Sequence, residues 1–105
     1  MQQCVHVVRT DGSYVKRLLE EVGLPRQMKR PMGIALDPQS STIYVAESEA
    51  HLITVCLQQG TSQQFGKKGS SKEELNEPQG LFYLAEKKHL YIADKQNKRI
   101  VILQM

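Results

Sequence analysis

The chain has 105 residues, of which 40% are apolar, with mean hydropathy −0.42, so it has room for one small domain and carries no apolar run long enough to span a membrane as a helix. Fourteen Lys and Arg against eleven Asp and Glu leave a net charge of +3, which favours a nucleic acid or other anionic partner only weakly. The apolar start from Met1 to Val8 is too short for a secretory leader and is ended by Arg9 and Asp11, so Cys4 and Cys56 are expected as reduced thiols in a cytoplasmic protein.

In chain order, Cys4 to Val8 reads as a strand, Arg9-Thr10-Asp11-Gly12 as a turn, and Tyr14 to Arg17 as the start of a second strand. Val15, Leu18, Leu19 and Val22 then fall at helical spacing, with Gly23 and Pro25 where a helix would stop. This predicts a strand that runs into a short helical turn. Gly33 to Asp37 is the next strand, ended by Asp37-Pro38 and the polar run Gln39-Ser40-Ser41. Thr42 to Ala46 is a continuous apolar run, as expected of an interior strand covered on both faces. Leu52 to Leu57 follows, then the turn Gln58-Gln59-Gly60 and a weaker strand, Ser62 to Phe65. Glycine and serine in the stretch 66–77 predict a crossover loop. Three strands close the chain: Gly80 to Leu84, His89 to Ala93 and Arg99 to Leu103.

Two of these units are the same unit. Pro31 matches Pro78, Gly33 matches Gly80, Tyr44 matches Tyr91, Ala46 matches Ala93 and Ile53 matches Ile100, at a constant spacing of 47 residues. Such self-similarity predicts a repeat architecture with about four short strands per unit. The register divides the chain into 1–30, the end of a preceding blade with its crossover; 31–77, a complete blade; and 78–105, an incomplete following blade. The expectation is therefore an all-β fold: a partial β-propeller of about two four-stranded antiparallel blades plus part of another. Blade repeats close with 4–8 copies, roughly 190 residues or more at this period, so a ring is unfinished here. The repeated residues have structural explanations. Gly33 and Gly80 stand where neighbouring blades crowd, Pro31 and Pro78 where a missing N–H loses no ladder bond, and Tyr44 and Tyr91 where a large ring packs.

The residues that carry the repeat resemble the NHL family of β-propellers. The last unit is similar to its motif in Pro78-Gln79-Gly80, Leu90-Tyr91-Ile92-Ala93-Asp94 and Asn97-Lys98-Arg99-Ile100-Val101-Ile102. The middle unit matches in Pro31 to Asp37, Ile43 to Ala46 and Phe65-Gly66, and departs at Glu47, Ala50 and Leu52, where the family has Asp, Asn and Arg. Asp94 and Asn97 are expected to hold backbone N–H groups of the turn between the second and third strands. Arg99 is expected to bridge to Asp94 or to carbonyls of a neighbouring blade. The middle blade must hold its turn differently. The resemblance implies a propeller that recruits substrate in RING-type ubiquitin ligases, although no zinc-binding Cys/His module is present in these residues.

Catalytic patterns fail one by one. Gly60 to Lys67 has the wrong spacing for a phosphate loop, and Lys68 stands where the metal-binding Ser or Thr would be needed. His6, His51 and His89 lie at unlike repeat positions, and there is no Cys-x-x-Cys or Gly-x-Ser-x-Gly. No enzyme activity, cofactor or metal is expected. The better candidate is a surface, the loop face that gathers Arg26, Lys29, Arg30, Lys67, Lys68, Lys72, Lys95 and Lys98 together with an equal number of acidic residues. A protein partner fits this mixed face. Single-stranded RNA on its basic clusters is the alternative, and a fragment of a propeller lyase or hydrolase ranks last. Solvated loop charge with no ligand is the commoner reading of such lysines. Unpaired blade edges predict self-association.

Overall fold

The computed structural model describes residues 4–17, 28–58 and 61–105. The helical spacing around Leu18, Leu19 and Val22, and the candidate Arg26, lie outside them. Among the described residues, nine strands form three antiparallel sheets. The first holds β1 (His6–Val8) and β2 (Tyr14–Arg17). The second holds β3 (Pro31–Asp37), β4 (Thr42–Glu47), β5 (Leu52–Cys56) and β6 (Ser62–Phe65), in sequence order. The third holds β7 (Pro78–Leu84), β8 (His89–Asp94) and β9 (Arg99–Gln104). The second sheet is four-stranded and the third three-stranded. Pro31 and Pro78 differ slightly from expectation: each is the first residue of its strand, opposite Glu47 and Asp94, and a register irregularity follows at once. A first position tolerates the missing N–H.

The backbone repeats as faithfully as the side chains. Among the described residues, six non-glycine residues adopt left-handed φ between 53° and 58°: Arg30, Ser41, His51, Glu77, Lys88 and Lys98. They fall into three pairs 47 residues apart, one at each entry to a first strand, one at each hairpin and one after each short 3-10 turn (Ser48–Ala50 and Lys95–Asn97). Such a conformation costs on the order of 1 kcal/mol per residue outside glycine, so the surrounding packing must offset it.

That packing lies between sheets. Tyr44, Ala46, Ile53 and Val55 of the second sheet meet Leu90 and Ile92 of the third, with Leu81, Tyr83, Val101 and Leu103 around them. Ile53, Leu90 and Ile92 are fully buried, and each contributes about 1.5–3 kcal/mol of apolar transfer free energy. The alternation in β3 and β7 against the nearly continuous burial of β4 matches an inner strand beside a covered one. A smaller cluster of Met28, Val45 and Cys56, joined by Val5 and Ile43, attaches the first sheet.

The glycine expectation separates into two cases. At Gly33 a Cβ would collide with the backbone carbonyl of Gln79 in the next sheet, so the sheets approach there as closely as a glycine permits. At Gly80 the nearest atom to such a Cβ is the Ala93 methyl, 3.7 Å away. The crowding expected at Gly80 is not present in this chain, because no described sheet lies on that side.

Candidate functional site

One end of the blades is built from the crossover 66–77, the residues 28–30 and the two 3-10 turns, and these segments are hydrogen-bonded to one another. In the last blade, buried Asp94 is the centre. Its Oδ1 accepts from the Asn76 backbone N–H at 2.7 Å, and its Oδ2 accepts from Asn97 Nδ2 at 2.8 Å and Arg99 Nε at 2.9 Å. Asn97 also donates to the Gly69 carbonyl at 2.8 Å. The Arg99 guanidinium reaches the carbonyls of Ser70, Ser71 and Glu74 at 3.2, 2.8 and 2.7 Å. The expected role is therefore corrected in its target. Asp94 and Asn97 do not hold backbone N–H groups within their own turn; with Arg99 they clamp the crossover that arrives from the preceding blade. Arg99 bridges both Asp94 and neighbouring carbonyls, as a planar five-donor fork can.

The middle blade uses a shorter version of this clamp. Glu47 is fully buried, and its Oε1 accepts from the Lys29 backbone N–H at 3.0 Å while its Oε2 accepts from the Thr54 hydroxyl. Lys29 and Asn76 are 47 residues apart, as are Glu47 and Asp94. The longer Glu side chain thus makes the same contact with the incoming chain, and Thr54 takes the oxygen that Arg99 takes in the last blade. His51 adds a latch that spacing did not reveal: its Nδ1 accepts from the Glu77 backbone N–H at 3.0 Å. Leu75, an apolar residue in a polar loop, is fully buried in the core and stands 47 residues after the buried Met28. Position within the repeat was the signal for Glu47 and Leu75; His51 had none.

The crossover also orders its own charges. Glu74 accepts from the Ser71 backbone N–H at 3.0 Å. That bond, the Ser71 hydroxyl and the positive charge of Lys67 hold its carboxyl below the usual carboxylate range. Lys29, Arg30, Lys67, Lys68, Lys72, Lys95 and Lys98 are all exposed on these joined segments. Arg30 and Glu49 form an exposed ion pair at 3.6 Å. The result is a hydrogen-bonded platform with exposed charged tips. Its aromatic content is nil: Tyr44 and Tyr83 stack at 5.4 Å between the sheets, and Phe82 and Tyr91 lie on the outer face of the last sheet.

At the opposite end of β3, Asp37 accepts from Ser40 Oγ at 2.8 Å and from the Gln39 N–H at 3.0 Å. The Ser40 hydroxyl first, then the Gln39 N–H and the Tyr83 hydroxyl, hold its carboxyl below the ordinary range against partial desolvation. Burial pushes the Tyr44 and Tyr83 hydroxyls up, and the Asp37 charge adds to this. Among the described residues no cluster of three His, Cys, Asp or Glu could hold a metal ion.

Antiparallel sheets of up to four strands, packed face to face, with the crossover 66–77 clamped at one end, define a β-propeller type of fold. Comparison with solved structures agrees. Over 95% of its length the chain matches the crystal structure of an auxiliary nutrient binding protein from Bacteroides thetaiotaomicron VPI-5482, with TM-score 0.56 and 19% identity. That likeness establishes the fold alone. The chain spans 25% of the length of that protein. Neither the protein-family models nor the curated proteins give a match, and the NHL resemblance accordingly stands at the level of a propeller-like fold.

Proposed function

We propose that the chain is a non-catalytic binding scaffold whose loop end engages a protein partner. The supporting observation is the pair of clamps: Asp94, Asn97 and Arg99 in one blade, Glu47 and Thr54 in the other. They fix the crossover 66–77 and the backbone at Lys29, so that a mixed set of charges is presented without a large ordering cost on binding. Substrate recruitment for a ubiquitin ligase is the finer form that the NHL resemblance implies. In that form the ligase chemistry belongs to a separate domain or subunit. The Bacteroides neighbour, named as a nutrient binding protein, is in keeping with binding rather than chemistry.

The test compares proteins captured by the wild-type chain and by a variant with Lys67, Lys68, Lys72, Lys95 and Lys98 changed to Glu. A defined set retained by the first and lost from the second supports the reading. The same set on both removes the loop end from the interaction. Fluorescent poly-U titrated at two salt concentrations reads the RNA alternative. Salt-dependent binding that disappears in the variant would replace the protein partner with RNA.

A further inference from the structure

The last sheet leaves an apolar face open. Phe82, Ile100 and Ile102 are 60%, 62% and 54% exposed, and Gly80, Phe82, Tyr91, Ala93 and Ile100 line a groove of about 220 Å³. Subtracting 47 from Gly80, Phe82, Tyr91, Ala93, Ile100 and Ile102 gives Gly33, Ala35, Tyr44, Ala46, Ile53 and Val55. Those are the residues through which the second sheet packs on the third. The open face is thus the counterpart, position by position, of a face that is buried in the same chain, and the chain itself shows what covers it. The cover is a sheet presenting the pattern of Leu81, Tyr83 and Leu90.

The same pattern stands open at the other end. Leu81, Tyr83 and Leu90 correspond to Ile34, Leu36 and Ile43, and Ile34 and Leu36 are 56% and 53% exposed. Among the described residues, the first sheet meets that face through Val5 against Met28, Val45 and Cys56. Grooves of about 260 and 300 Å³ remain over Met32, Ile34 and Leu36. One end therefore carries the socket and the other the plug of a single interface.

We propose that the occupant is a second copy of this chain, joined head to tail: Ile34, Leu36 and Ile43 of one copy pack on Gly80, Phe82 and Ile100 of the next. The contact is heterologous, so both faces of a copy can be engaged at once. The close approach seen at Gly33 is repeated at Gly80. Val5, which leads into the β1–β2 hairpin, packs on the plug face beside Ile43 and Val45, and the hairpin is displaced on docking.

Two single-face variants test this. Phe82→Glu blocks the socket and Leu36→Glu blocks the plug, and circular dichroism reports whether each retains its sheet content. Analytical ultracentrifugation is expected to show concentration-dependent association for the wild type and monomers for each variant alone. A 1:1 mixture should give a heterodimer that grows no further, because each variant keeps the face that the other lacks. Dimers of Leu36→Glu alone would mean that two socket faces meet symmetrically, and would overturn the head-to-tail joint. A monomeric wild type up to the highest soluble concentration would overturn the proposal as a whole. Gly80→Ala is the gentler probe, since a methyl fits within the free chain. It is expected to leave the thermal midpoint unchanged and to weaken association at least tenfold; unchanged association would place the contact elsewhere.

Discussion

Asp94 has no exposure to solvent and is held by three donors, so the group that neutralises it matters more than its distance from any ligand. Arg99→Ala removes the charge partner and the fork on three loop carbonyls together. Breaking a buried pair costs several kcal/mol. With the Arg99 side chain 31% exposed, the expected loss is about 2–3 kcal/mol, read as a lower urea midpoint at unchanged slope. Arg99→Lys should recover less than half of it, because an ammonium has no planar fork; full recovery would mean that charge alone matters. Asp37 makes the matching argument in pH. Its folded carboxyl is held below the ordinary range, chiefly by the Ser40 hydroxyl. Its contribution to stability is therefore complete above the unfolded pKa, roughly 4, and is lost as pH falls through the depressed folded value. Ser40→Ala should move the Asp37 titration, followed by carboxyl carbon NMR, upward towards the ordinary value. A midpoint that stays in place would show that the Gln39 N–H and Tyr83 suffice.

The element that most changes meaning is the crossover 66–77. Its glycines and serines mark it as a loop, yet Leu75 donates its N–H to the Lys67 carbonyl at 2.9 Å and accepts from Gly69 at 3.0 Å, while its side chain is buried without remainder. Leu75→Ala should cost about 2–4 kcal/mol and should raise amide exchange through 67–76 before it affects β4. Equal exchange in both variants would show that the Arg99 clamp holds the loop unaided. The strands were legible because period-2 alternation and turn residues are local signals. The propeller was legible because the chain says the same thing twice. The left-handed backbone at Ser41, His51 and Lys98 was not, since neither glycine nor asparagine marks it and tertiary packing imposes it. Which carbonyls Asn97 and Arg99 take was hidden for the same reason: Gly69, Ser70 and Ser71 contribute them, and every residue has one.

For the whole molecule, stability should be unevenly spread, because repeat architectures hold together by nearest-neighbour interfaces. The second and third sheets share one core that includes fully buried Ile53, Leu90 and Ile92. The first sheet is two strands, of three and four residues, and among the described residues Val5, just before β1, packs against the small Met28, Val45 and Cys56 cluster. Val8, Tyr14 and Val15 are more than 40% exposed, so this sheet has little buried area to lose. Its opening should cost far less than global unfolding. Native-state hydrogen exchange in rising denaturant is expected to show Val7 and Lys16 exchanging by a small, denaturant-insensitive opening. Val45 and Ile92 should exchange only through the global transition. If the β1–β2 amides followed the same isotherm as β4, the hairpin would be part of one cooperative unit, and its displacement on docking would be as costly as unfolding the chain. A low opening free energy leaves the plug face accessible at equilibrium, which the head-to-tail joint requires of it.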